Sequence, residues 1–256
     1  FLENERHVPN DLARLGQLRR AHLLDILLLE AIDVGERSFG LDLQQSIDKA
    51  AEQGIDEGIT LLAADVTSED DVKAAIAKAT EAAPLRVVVN CAGIAPAARI
   101  VSKNGVHALD LFQTCISVNL VGTFNVMRLA AEAMSTQDTV DEDGQRGVII
   151  NTASVAAYEG QVGQIAYAAS KGGVYSMGIC AARDLAQFGI RVNTIAPGTI
   201  ETPMLRGLTE EFQKTLEASI PFPSRLGRPS DYAQLANAIV EHDYLNGESI
   251  RMDGAL

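Results

Sequence analysis

Along most of this chain, short apolar runs alternate with longer stretches in which apolar residues recur every three or four positions. The runs are Ile59-Thr-Leu-Leu-Ala63, Val87-Val-Val89, Val148-Ile-Ile-Asn151, Ile190 to Ile195 and Ser249 to Met252. The first three are apolar at most positions, the last two at half of them, and most are rich in β-branched residues, so they predict strands buried on both faces, as in a parallel sheet. Between them, Val72, Ala75, Ile76 and Ala79 share one side of a helical period, and Ser68 followed three residues later by Asp71 is a helix-capping pattern. The polar stretch from Ser135 to Arg146 predicts a loop. Strands alternating with helices predict repeated βαβ units, and hence an α/β fold: a doubly wound parallel sheet with helices on both faces. No repeat or low-complexity linker divides the 256 residues. Such sheets commonly exceed about 200 residues undivided, so one domain over residues 1–256 is expected.

Composition narrows the function classes. A net charge of -13 argues against a nucleic-acid surface, which needs a basic stripe to displace counterions. Cys91, Cys115 and Cys180 are scattered and lack metal spacing, which predicts free thiols in a reducing compartment. His7, His22, His107 and His242 form no ligand pattern, so no metal is expected. The longest apolar stretch, from Leu23 to Ile32, is interrupted by Asp25 and Glu30 and falls well short of the roughly 20 residues of a membrane helix. It predicts a packed helix. No secretory signal is visible at the start, and the expected location is cytoplasm or, as the second choice, a mitochondrial matrix.

The candidate chemistry lies between Ser154 and Lys171. Tyr167 and Lys171 are four residues apart and share one face of a helix, where an ammonium is expected to lower the phenol's pKa and make it a usable acid or base. Ser154 follows the run from Val148 to Thr152, at the carboxyl end of a predicted strand, where a parallel sheet places its ligands. Asp42 follows Phe39-Gly-Leu41. A carboxylate at a strand end there would accept hydrogen bonds from an adenosine ribose and repel a 2'-phosphate, or would merely open the next helix.

Ser154 with Tyr167-Ala-Ala-Ser-Lys171 resembles the catalytic signature of the short-chain dehydrogenase/reductase family. Three further marks are similar to that family's: Asn90-Cys91-Ala92-Gly93 after a strand, Asn119 in a helix, and Ala196-Pro197-Gly198 after a later strand. The resemblance runs from about Leu41 to Leu256 and implies a Rossmann-like fold and NAD as cofactor. It implies catalytic roles for Ser154, Tyr167, Lys171 and Asn119. It places Asp42, Asp65, Val66, Asn90, Cys91, Ala92, Gly93, Tyr167, Lys171, Pro197, Gly198, Ile200 and Thr202 about the cofactor. Arg146 to Val155, Pro221 to Gly227 and Asp253-Gly-Ala255 are most similar to members acting on 3-hydroxyacyl-CoA and, among relatives, hydroxysteroids. The implied partners are therefore a small-molecule acyl-CoA or steroid-like substrate, with no nucleic acid and no membrane, in a homotetramer. Helix faces around Leu111 to Met134 and Tyr175 to Leu185 would supply its apolar contacts. Met204 to Pro223, with Leu205, Leu208, Phe212 and Leu216, is expected to cover the substrate.

The start departs from that pattern. Such proteins open with a strand and a glycine-rich T-G-x-x-x-G-x-G turn whose backbone receives pyrophosphate. At the matching spacing stands Leu18-Arg-Arg-Ala-His-Leu-Leu24, without a glycine, after a stretch that puts Arg14 into a would-be central strand. Either the turn is altered and the chain is an impaired, dehydrogenase-like binding or scaffold protein, or the reading frame is displaced over about residues 1–38. Lost pattern with retained spacing favours the second.

Overall fold

The computed structural model describes residues 38–53, 59–103, 105–202, 205 and 210–256. The expectations for a strand near residues 11–17, a turn near 18–24 and a helix over 23–32 lie outside these residues, as do Met204 and Leu208.

The described chain runs β1 (Ser38–Asp42), α1 (Gln44–Gln53), β2 (Ile59–Ala63), α2 (Glu69–Ala82) and β3 (Val87–Asn90), followed by a short hairpin of β4 (Val101–Ser102) and β5 (Gly105–Val106). Then come α3 (Leu109–Ile116), a π-helical turn (Ser117–Gly122), α4 (Thr123–Ser135), β6 (Gly147–Thr152), α5 (Ala156–Glu159), α6 (Ile165–Leu185) and β7 (Ile190–Pro197). The chain closes with α7 (Glu210–Ala218), α8 (Pro229–Glu241) and β8 (Ser249–Met252). Strands β3, β6, β7 and β8 form a parallel sheet in that order, and β1 pairs in parallel with β2. Phe39 and Leu41 of β1 and Val87, Val88 and Val89 of β3 line one apolar cavity of about 600 Å³.

Every residue of β6 and of β7 is buried, including the polar Asn151, Thr152, Arg191, Asn193 and Thr194, as strands covered on both faces must be. The pleat sends alternate side chains to opposite faces. Val148 and Ile150 join Tyr232, Ala233, Ala236 and Ile239 of α8 on one side. Ile149 meets Met127, Ala131 and Met134 of α4 and Ala181 and Ala182 of α6 on the other. Two helical layers thus cover the sheet.

The capping pattern read at Ser68 is present, its hydroxyl accepting from the amide of Asp71, with Val72 and Ala75 buried beneath. Residues 136–146 carry neither helix nor strand, as the polar stretch predicts. One charge lies within the sheet. Arg191 of β7 is buried and donates to the carbonyls of Ile239, Val240 and Leu245, closing the end of α8, and to the side chain of Gln145. Its guanidinium satisfies helix-end carbonyls that otherwise lack partners.

Candidate active site

The carboxyl ends of β3, β6 and β7 converge with the first turns of α6. Ser154 is two residues past the end of β6, where the amide of Ala153 donates to the carbonyl of Ile195 and that of Val155 to the carbonyl of Pro197. These bonds stitch the turn to β7. The Ser154 hydroxyl accepts from the amide of Ala156, is buried, and hydrogen bonds the phenol of Tyr167. Tyr167 lies in the first turn of α6 and packs with Ile94, Cys115 and Ala166. Lys171, one turn later and buried, holds its ammonium 5.9 Å from the centre of the Tyr167 ring and donates to the carbonyl of Thr152 at 2.7 Å.

The expected lowering of the phenol's pKa by this ammonium is corrected by the structure. Burial raises the Tyr167 phenol above its ordinary value, the hydrogen bond with Ser154 lowers it in part, and Cys115 raises it. An edge of the residue reaches the surface, but the hydroxyl end is desolvated, and desolvation penalises the phenolate. The ammonium donates to the carbonyl at the end of β6.

Asn119 is fully buried in the π-helical turn. Its Oδ1 accepts from the amide of Ile94 at 2.8 Å, and its Nδ2 donates to the carbonyl of Ile94 at 2.9 Å, so the amide clips the chain just after β3 like a strand neighbour. A side chain at Gly93 would place its Cβ 3.4 Å from Asn119 Oδ1 and 3.5 Å from Lys171 Nζ. Glycine at this position keeps open the space that these two groups share.

The residues assigned to a dinucleotide divide into two sets. Asp42, Asp65, Val66 and Ala92 line one cavity of about 150 Å³ with Leu41, Leu43, Thr114, Ser117 and Val118. Asp42 is buried at the end of β1, which excludes the surface position left open for it, and one carboxylate oxygen accepts from the amide of Leu43. Asp65 turns an oxygen to the amide and hydroxyl of Thr67. A buried carboxylate lining a small recess of mixed polarity suits a ribose diol, so this set fits the adenosine end of a nicotinamide dinucleotide. In the second set, side chains face inward. Asn90 donates to Asn151 across the sheet at 2.9 Å, Cys91 sits against Thr152 and Tyr232, and Pro197 is buried in β7. A Cβ at Gly198 would come within 2.7 Å of Asp253, so that glycine is required by the chain's own terminus. Ile200 bridges to Gly227, and Thr202 is buried with its carbonyl accepting from the amide of Leu205.

Cys91, Cys115 and Cys180 are in no disulfide, and among the described residues no cluster of metal-ligating side chains occurs and no helix is long and apolar enough to cross a membrane. The sequence reading missed the β4–β5 hairpin and Ser170, which joins Tyr167 to Asn119. The i, i+3 spacing of Tyr167 and Ser170 was the available signal.

Comparison with known proteins agrees with this geometry. The family described as Enoyl-(Acyl carrier protein) reductase matches residues 34–256. The chain is 52% identical over 219 residues to 3-hydroxyacyl-CoA dehydrogenase type-2 of Bos taurus, and equally to that of Homo sapiens, covering 84% of each chain in both cases. Its fold is similar to the crystal structure of 3-hydroxyacyl-CoA dehydrogenase type-2 from Mycobacterium avium, with a TM-score of 0.82, 40% identity and 93% of each chain covered. With this extent of likeness over the fold and the Ser154–Tyr167–Lys171 stretch, the chain belongs to the short-chain dehydrogenase/reductase family.

Proposed function

We propose that this oxidoreductase uses NAD to interconvert a 3-hydroxyacyl-CoA and the corresponding 3-oxoacyl-CoA. The meeting of Ser154, Tyr167 and Lys171 at the ends of β6 and α6 carries the reading, and the names of the relatives at 52% identity support the substrate class. In the reductive direction the Tyr167 phenol gives its proton to the substrate oxygen while the Ser154 hydroxyl holds that oxygen by a hydrogen bond. Lys171 places a positive charge beside the site as negative charge develops on the tyrosine oxygen. Asn119 holds the Ile94 backbone in place. Asp42, Asp65, Val66 and Ala92 would hold the adenosine end, and Gly93 would face the nicotinamide end. The cofactor supplies or accepts the hydride. In oxidation the same phenol, now ionised, takes the hydroxyl proton.

Turnover of acetoacetyl-CoA with NADH, followed in both directions across pH, tests the proposal. Burial raises the phenol's pKa, so the acid form persists through neutral pH. Reductive kcat/KM is therefore expected to stay level there and to fall only as the pH climbs through the raised value. Oxidative kcat/KM, which needs the phenolate, should increase from neutral to alkaline pH. An oxidative rate that is flat or falls over that range would count against Tyr167 as the base. The alternative, an impaired scaffold, predicts no saturable NADH binding in a direct titration.

A homotetramer is part of the same proposal. Val121 and Phe124 near the start of α4 and Tyr175 and Ile179 of α6 are each at least 40% exposed, apolar surface that association of copies would cover. Light scattering at micromolar concentration should return about four times the chain mass of 27.3 kDa, and a monomeric mass would refute the assembly.

A further inference from the structure

We infer that Ser170 is a positioning residue for this reaction, tying the side chain of Asn119 to the catalytic helix at the carbonyl of Tyr167 itself. The inference rests on the roles given above to Tyr167, Ser154, Lys171 and Asn119.

Ser170 and Asn119 are both fully buried, at 0% exposure, so neither can exchange a missing partner for water. The Asn119 amide has two hydrogens to place. One goes to the carbonyl of Ile94 and the other to Ser170 Oγ, each at 2.9 Å. The Cys115 sulfur at 3.5 Å is a weaker alternative acceptor. Ser170 has a single proton, and it goes to the carbonyl of Tyr167 at 2.7 Å. The direction of every bond in the chain is thereby determined: the Asn119 amide donates to the serine, and the serine donates to the backbone of the catalytic tyrosine. Bonds aligned in one direction strengthen one another in a dry setting.

The link matters because of what it joins. The π-helical turn carrying Asn119 and helix α6 carrying Tyr167 and Lys171 are separate elements. Asn119 Oδ1 and Lys171 Nζ both stand within 3.5 Å of the position a Cβ at Gly93 would take. A displaced Asn119 amide is therefore felt both at the Gly93–Ile94 backbone and beside the lysine. A serine bonding to the carbonyl three residues back is also an ordinary local habit of helices, with no catalytic consequence. The two roles differ in one respect. A purely local bond acts independently of Asn119, whereas a link does not.

A double-mutant cycle separates them. Ser170→Ala, Asn119→Ala and the double variant of the full chain are compared with the parent for kcat and KM with acetoacetyl-CoA and NADH, for NADH affinity by fluorescence, and for Tm. Ser170→Ala is expected to lower kcat about tenfold while KM and NADH affinity change less than about threefold, since a misplacement well under 1 Å loosens the reacting geometry without removing a binding contact. In the Asn119→Ala background the same change should cost less than about twofold. A further tenfold loss in that background, an unchanged kcat in Ser170→Ala, or a kcat loss matched by a collapse in Tm would overturn the inference. An inactive parent would instead overturn the proposed function on which it rests, and the two failures are thus told apart.

Discussion

Tyr167→Phe is expected to lower kcat for acetoacetyl-CoA reduction by roughly 10³-fold, within the range that positioned acid–base groups supply. The substitution removes one oxygen and leaves the ring packed among Ile94, Cys115 and Ala166, so the fold should survive. Ser154 loses a partner but keeps the amide of Ala156, and Lys171 keeps the carbonyl of Thr152. NADH affinity is therefore expected to remain within about threefold of the parent. At about 1.4 kcal/mol per tenfold, the loss corresponds to about 4 kcal/mol of transition-state stabilisation, far more than one hydrogen bond to a bound ketone would account for. Stopped-flow or steady-state rates with matched NADH titrations measure both quantities. Turnover of the Phe variant within tenfold of the parent would show that the proton comes from elsewhere.

The sheet was legible chiefly from its most apolar strand. Val148 to Ile150 has no polar period to confuse with a helix, whereas Ile190 to Ile195 carries Arg191, Asn193 and Thr194 and is buried on both faces all the same. The β4–β5 hairpin was not legible. It has two residues per strand, and Val101 and Val106 lie open to solvent, so no alternation marks it. The π-helical turn at Asn119 was hidden for another reason: weak helix formers such as Ser117, Val118, Asn119 and Gly122 do not by themselves specify a wider turn, and only the tertiary clip to Ile94 reveals what the asparagine does. The spacing of Tyr167 and Lys171 correctly put them on one helix face, yet spacing cannot report desolvation, and the phenol's pKa moves up rather than down. Arg191 teaches a related lesson. A charge in a central strand reads as an error by composition, but here three carbonyls around the end of α8 receive it. The cost of such a residue depends on partners that only the folded chain supplies.

Cofactor choice should turn on Asp42. In the parent, kcat/KM with NADH is expected to exceed that with NADPH by about 100-fold or more, equivalent to about 3 kcal/mol. A 2'-phosphate brought into the recess beside β1 would meet the buried Asp42 carboxylate and, on the same wall, Asp65. None of the described residues lining that recess is a lysine or arginine, so none of them neutralises the added charge. Like charges forced together in a partly desolvated site cost several kcal/mol, which is ample for such a ratio. Asp42→Ala removes the nearer charge and also the acceptor for a ribose hydroxyl. It should therefore weaken NADH use and improve NADPH use together, bringing the ratio to within about tenfold. Asp65 stays in place with its carboxylate held by Thr67, so the preference should narrow without inverting. The two effects can be separated by salt. Repulsion of a phosphate is screened as ionic strength rises, weakly for the buried Asp42 and more for the partly exposed Asp65, whereas loss of a hydrogen bond to an uncharged ribose is not screened at all. In the parent the NADH/NADPH ratio should accordingly shrink between about 10 mM and 500 mM salt, and in Asp42→Ala it should respond less. Equal use of the two cofactors by the parent would remove Asp42 from the cofactor site. A ratio that is large but independent of both salt and Asp42 would place the discrimination in some other residue.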